Sequence, residues 1–315
     1  LFILIFLFSL IFISLFIFFF FHKPNQSNLN NFFWLSKETS IIINNWFMMY
    51  FLSVVLVGTV YPIFLDVLTS EKISVGPPFY HKLIIPFLIP FLLIMAIGPK
   101  LKWIKSNLED KVYLISLLFI SFLLSFLIVK NFNSNFLINT ILISSALYLF
   151  FVTLRDFFIK KKNNISQNIA HFGFSLLILS ILFNSLFSTE IITNLKVGET
   201  FESSKTKIIF KSINQQKEKN YKSVVGNFII QNSNGKIDNL SPQLRIYNQP
   251  NIVTSEADIK TTLLSDKFLV INLVQNQEYF NVRYQVKPFM LWIWLSVLLI
   301  SSGALTSLFK KEYEK

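Results

Sequence analysis

Cysteine is absent from this 315-residue chain, which excludes a disulfide framework, a thiolate metal site and a thiol nucleophile. Histidine is nearly absent, so imidazole chemistry falls to three residues, His22, His81 and His171. Charge is scarce as well: 15% of the residues are Asp, Glu, Lys or Arg while 53% are hydrophobic, a balance that calls for membrane spans before globular domains. There is no Gly-rich phosphate loop, no Ser/His/Asp arrangement with a local signature, and no His/carboxylate cluster at metal-ligand spacing. What abounds is Phe, with 37 residues, and beside Ile, Asn and Lys it reads as compositional bias rather than an aromatic box. The chain opens on Leu1, already hydrophobic and without the basic leader or cleavage site of a signal peptide. Such an opening is expected of a fragment whose upstream portion is missing.

Seven stretches are apolar enough to span a bilayer, at roughly Leu1–Phe21, Trp46–Leu65, Leu83–Ile97, Val112–Val129, Phe136–Leu154, Ala170–Phe187 and Phe289–Phe309. Helices are the economical form there, because an open strand in lipid leaves backbone groups unpaired. Pro86 and Pro90 predict a kinked or shielded third helix. Basic residues gather in alternate connections: Lys23 and Lys37; Lys100, Lys102, Lys105 and Lys111; Arg155, Lys160, Lys161 and Lys162; and Lys310, Lys311 and Lys315 in the tail. These thirteen of the 29 basic residues place the N-terminus of the chain outside, the C-terminus in the cytoplasm or matrix, and the loop 66–82 outside. The same bias, with a second basic set in the long polar loop, accounts for the net charge of +12, so no nucleic-acid partner is read from it.

The fold expected is a polytopic α-helical membrane protein with a small β-rich extracytoplasmic domain between the last two helices. The boundaries are 1–189 for six helices, 190–287 for the β domain, and 288–315 for the final helix and tail. "YFNVRYQV" alternates apolar Phe280, Val282, Tyr284 and Val286 with polar residues, as a half-buried strand does. "VVGNFIIQNSNGKIDNL" reads as a strand, an Asn234-Gly235 turn and a second strand. "TKIIFKS" and "KFLVINLV" supply further strands, while "INQQKEKNYKS" reads as a polar loop.

Ionisable residues inside spans are where function is sought. Asp66 lies at a helix end, Lys130 can snorkel, and His22 and His81 read as interfacial and solvated residues. His171 stands apart in "NIAHFGFSLLILSILF", at the start of an otherwise apolar helix. From the residues alone it is a haem axial ligand, a proton relay or an interfacial ring, and the interfacial reading leads. Gly173 leaves a notch two residues on, open to a flat macrocycle or to a neighbouring helix. Trp292 and Trp294 suit the outer aromatic belt.

"GTVYPIFLDVLTSEKISVGPPFY", from Gly58, resembles the stretch G-T-L-Y-P…L-T-G-E-K-I-S-V-G-P-P of the CcmF family, the haem-lyase subunits of cytochrome c maturation. "LSKETSIIINN", "AHFGF", "LSPQLRIY", "TSEADIK", "KPFMLWIW" and "SSGALTSL" extend the likeness over Ser36 to Leu308. The resemblance implies a bacterial inner-membrane protein, or alternatively a mitochondrial inner-membrane one, that takes haem from a chaperone on the outer face. It implies attachment of that haem, as substrate, to the CxxCH cysteines of apocytochrome c alongside other maturation subunits. It also implies a haem b inside the membrane, with His171 as one axial ligand to the iron and Gly173 at a close approach.

The departures are specific. The family's Trp-rich motif, its two outward-facing His and its second membrane His fall upstream of the matching region, so they are expected on a missing N-terminal half. Pro242–Arg245 reads P-Q-L-R where the family has P-E-K-R, and Ser70 stands where a Gly is usual. The resemblance would have the loop 66–82 and the β domain form the docking surface for apocytochrome and chaperone, with Glu71 and Lys72 steering charged groups. The alternatives from other classes are a secondary transporter or export permease, which would want internal repeats, and a scaffold subunit that binds no haem.

Overall fold

The computed structural model describes residues 2–21, 33–69, 72–105, 110–132, 135–159, 165–203, 206–232, 235–274 and 279–308. Its helices are α1 (Phe2–Phe21), α2 (Lys37–Thr69), α3 (Pro77–Ile97), α4 (Lys111–Val129), α5 (Phe136–Ile159), α6 (Ile165–Phe187) and α7 (Met290–Leu308). Among the described residues, α2 to α7 are each long and apolar enough to cross a membrane, and the protein is a multi-pass membrane protein. Helix α1 is apolar apart from Ser9 and Ser14, with Phe8–Phe18 a shorter apolar stretch. His22 and the tail lysines lie outside the described residues.

Several helices outrun the hydrophobic runs that define them. α3 begins at Pro77 rather than Leu83, after an extended Gly76, because proline is tolerated where a helix's first N–H groups have no internal partner. With α2 continuing to Thr69, the expected loop 66–82 contracts to the few residues between Thr69 and Pro77. α5 continues past Arg155 to Ile159 because its polar end finds partners. Arg155 lies 3.0 Å from Asp110 and stacks on Tyr113, and Asp156 binds Lys100 at 2.7 Å.

Inside the bundle, buried hydroxyls satisfy themselves on backbone or across helices, as a water-free interior requires. The Ser125 hydroxyl donates to the Thr140 carbonyl at 2.6 Å, joining α4 to α5, and Thr153 and Ser175 share a hydrogen bond of 2.9 Å between α5 and α6. α6 and α7 approach backbone to backbone. A Cβ on Gly303 would lie 2.7 Å from the Ala170 nitrogen, and one on Gly173 would lie 2.9 Å from the Ile300 nitrogen.

That helix pair continues into strands. β1 (Thr189–Leu195) leaves α6 and β10 (Phe280–Pro288) leads into α7, and the two pair antiparallel from Thr189↔Val286 to Leu195↔Phe280. The remaining strands are β2 (Thr200–Ser203), β3 (Thr206–Lys217), β4 (Tyr221–Asn232), β5 (Ile237–Leu240), β6 (Gln243–Tyr247), β7 (Val253–Glu256), β8 (Asp258–Thr261) and β9 (Ser265–Leu273). One sheet runs β1-β10-β9-β8 and the other β2-β3-β4-β6-β7, with β5 also on β4. The two enclose Ile208, Phe210, Phe228, Ile230, Leu269, Ile271 and Val282, with the Phe210 and Phe228 rings stacked at 4.2 Å.

The alternation in β10 matches its burial, and β4 and β5 pair across a turn at Gly235, whose φ of 72° suits glycine; Asn234 lies outside the described residues. "INQQKEKNYKS" departs from the loop expected of it. Ile213–Lys217 pairs with Lys222–Gly226, and at this end of β3 Asn214–Lys217 are exposed on both faces, so no alternation is needed there.

Asp238 is fully buried in the sandwich, bound by Lys267 and with Lys260 Nζ 2.8 Å away. Burial pushes its carboxyl up, but the hydrogen bonds and charges of the two lysines outweigh this and hold it below the ordinary range. Burial, then the Asp238 charge, pushes the Tyr284 phenol up to about 12, and its hydroxyl has no partner among the described residues.

Gly303→Val should separate α6 from α7, because the obstructing atoms are backbone. We expect a lower melting temperature for the full chain in detergent; an unchanged one would contradict the packing. Asp238→Asn should destabilise the sandwich by about 3–5 kcal/mol at neutral pH, the usual size for stripping a buried cation of its partner. A depressed carboxyl stabilises above its unfolded pKa, and that contribution is lost as pH falls through the folded value. The gap between wild type and variant, followed by hydrogen exchange in β5 and β9, should therefore close in acid. Tyr284→Phe should change stability by less than about 1 kcal/mol, since it removes an unpaired buried hydroxyl.

Candidate functional site

The stretch that carries most of the resemblance is held together by a glycine notch. Gly58 of α2 faces the Tyr80 ring of α3, and a Cβ on Gly58 would come within 2.6 Å of the Tyr80 hydroxyl. The Tyr50 hydroxyl donates to the Leu83 carbonyl at 3.0 Å on the same pair of helices. The wording around the turn thus seats α3 on α2. Lys72 and His81 are exposed, and Ser70 and Glu71 lie outside the described residues.

The other matching stretches also meet. Arg245 of "LSPQLRIY" lies over the Tyr221 ring and 3.7 Å from Glu256 of "TSEADIK". Arg245 thus has a carboxylate beside it from β7. The Ser241 N–H donates to Asp258. In "KPFMLWIW", Trp292 Nε1 donates to the Leu263 carbonyl at 2.9 Å, and Trp294 is exposed, as an interfacial ring should be.

His171 sits in the second turn of α6, and its ring turns into the bundle. It lines a cavity with Met95, Ala96 and Pro99 on the α3 side, Thr153 and Asp156 of α5, and Gln167 and Asn168 of α6. Nδ1 is buried without a hydrogen-bond partner among the described residues. The cavity offers about 10 Å³, room for about one water and far too little for a macrocycle. Nδ1 is therefore the nitrogen that faces away from any macrocycle, and an imidazole whose Nδ1 is committed to the protein interior keeps Nε2 as the donor suited to a haem iron, the role the resemblance implies. Among the described residues no group of three or more His, Cys, Asp or Glu could hold a metal ion, and His171 therefore stands as a single donor.

Gly173 points elsewhere. Leu299 and Ile300 of α7 lie against its notch, so a helix makes a close approach there. The reason is angular: residues two apart on a helix lie about 200° apart around its axis. With Gly173 against α7, His171 faces α3 and α5.

Two residues of this site escaped the sequence reading. Asp156 accepts from Lys100 through both oxygens, at 2.7 and 2.8 Å, and their side chains are only 15% and 12% exposed. Asn168 Nδ2 donates to the Asp156 carbonyl at 3.2 Å. Lys100 read as one of many topological cations. The available signal was that Asp156 is the one acid in the basic connection Arg155–Asn164.

Residues 186–288 match the family described as the CcmF C-terminal beta-sandwich. Over 295 residues the chain is 26% identical to cytochrome c-type biogenesis protein CcmF of Pseudomonas fluorescens, covering 88% of this chain and 44% of that protein. It is 26% identical over 303 residues to CcmF of Escherichia coli (strain K12), covering 93% and 46%. It is 24% identical over 293 residues to cytochrome c-type biogenesis protein CycK of Rhizobium meliloti (strain 1021), covering 87% and 43%. A solved structure of cytochrome c heme lyase CcmF shares the fold, with a TM-score of 0.66 and 21% identity over 87% of this chain and 46% of that one. The chain spans a little under half the length of these relatives. With the sandwich hung between its last two membrane helices, the chain carries the CcmF C-terminal beta-sandwich over residues 186–288 and is similar along most of its length to the C-terminal portion of CcmF proteins.

Proposed function

We propose that this chain is the C-terminal part of a haem lyase of cytochrome c biogenesis, incomplete alone, in which His171 is one axial ligand of an intramembrane haem b. The observation that carries the reading is the buried, unpartnered Nδ1 of His171 on an inward-facing ring. Because the space at Nδ1 accommodates about one water, ligation falls to Nε2. The names of the relatives, all cytochrome c-type biogenesis proteins, support the wider role.

Each part of the chain has a task in this reading. The chain lies in a bacterial inner membrane, or alternatively a mitochondrial one, with the N-terminus of the chain and the sandwich outside and the basic helix ends in the cytoplasm or matrix. From His171 to Phe187 the helix rises roughly 24 Å at about 1.5 Å per residue, so the imidazole lies toward the inner side. When bound, a b haem supplies one-electron chemistry, as thioether formation on ferrous substrate haem requires. His171 holds iron, α3 and α5 keep bulk water from its ring, and the sandwich with the α2–α3 turn offers the outer surface to apocytochrome c and the haem chaperone. The second axial donor comes from the N-terminal half, on which the other maturation subunits also act.

The test is the absorption spectrum of the chain assembled with its N-terminal half. His171→Ala should abolish the b-type α band, while His81→Ala should leave it. An unchanged band in His171→Ala removes the assigned role.

A further inference from the structure

The Lys100–Asp156 pair is unexplained by topology. An ion pair among membrane helices needs a reason, because desolvating two charges costs several kcal/mol that their attraction barely returns. Lys100 and Asp156 are at the inner ends of the spans, where water is near, yet both side chains are largely buried. Asp156 and His171 line the same cavity, and Nδ1 of His171 is buried without a hydrogen-bond partner among the described residues. The cavity has the volume of about one water and polar walls from His171, Asp156, Thr153, Gln167 and Asn168. A buried water needs two to four polar partners, and these walls provide them. The Thr153 hydroxyl is fixed by Ser175 at 2.9 Å, and Lys100 fixes the carboxylate through both oxygens.

We propose that Asp156, anchored by Lys100, is the positioning residue for His171. One water in the cavity accepts the Nδ1–H proton in a hydrogen bond and donates to the Asp156 carboxylate. The ring is thereby held as the tautomer with its proton on Nδ1, leaving the Nε2 lone pair free to bind a metal. A carboxylate behind a ligating imidazole both sets the ring's orientation and raises its donor strength. The tautomer follows from the chain's own residues; its use for iron rests on the function proposed above.

Histidine-labelled full chain, free of haem and carrying His22→Gln and His81→Gln, gives one imidazole to follow by nitrogen-15 NMR at about pH 9, above the ordinary imidazole range. His171 should carry its proton on Nδ1. An Nε2–H ring at this stage overturns the proposal without any further variant. The double variant Lys100→Met/Asp156→Leu removes both charges together, so no ion is left unpaired, and it should lose the Nδ1–H preference. Asp156→Glu should keep it. In the assembly, the double variant should bind haem about tenfold or more weakly, the effect usual for losing an outer partner. An unchanged tautomer in the double variant overturns the proposal even if haem binding falls, since the pair would then act only through packing. Absence of a b-type band from the wild-type assembly would instead refute the haem reading, and the NMR comparison would still decide the role of Asp156.

Discussion

The contact on which the rest depends is the backbone approach of α6 and α7 at Gly173 and Gly303. Lipid gives helices little hydrophobic reason to associate, so close packing of small residues has to supply it. Here that packing fixes the angular setting of α6. Once Gly173 is committed to α7, His171 must face the opposite side, toward α3 and α5. The same pair runs on without a break into β1 and β10, so the sandwich is attached through two adjacent strands of one ladder. At that junction Phe289 takes a φ of 61°, a conformation unusual for a residue with a side chain. Its N–H donates to the Leu264 carbonyl at 2.8 Å, and its ring meets Phe183.

Polar groups in the helical region are few, and two of the interactions they make lie beside His171. Most buried hydroxyls return to the carbonyl of their own preceding turn, which satisfies them locally and says nothing about chemistry. The Ser125–Thr140 bond, the Thr153–Ser175 bond and the Lys100–Asp156 pair differ because they cross between elements. The last two border the cavity beside His171. The sandwich has its own buried charge at Asp238, but two lysines surround it, and it lies in the core between strands where no ligand has access. It is a structural feature of the domain and not a second site.

Much of the architecture was legible because a hydrocarbon solvent allows so few backbone solutions. The seven apolar runs and the β-rich insertion follow from composition and period. Helix ends were not legible, since they depend on partners distant in sequence: Arg155 and Asp156 extend α5 only because Asp110, Tyr113 and Lys100 receive them. The outer end of β3 was missed because Asn214–Lys217 are exposed on both faces and leave no alternating pattern. His171 was identified through its neighbours in "AHFGF" and by the resemblance, and the residues alone favoured an interfacial ring. Gly173 was read as a notch open to a macrocycle or to a neighbouring helix, and α7 lies against it here. The partner of a glycine notch depends on which helix packs there, and sequence spacing does not reveal that.

The most direct measurement is a density map of this chain assembled with its N-terminal half and loaded with haem. The account predicts an iron bonded to Nε2 of His171, a water between Nδ1 and Asp156, and α7 still seated against Gly173. A macrocycle lying between α6 and α7 at Gly173, or a His171 ring turned to the acyl chains with no iron beside it, would contradict it.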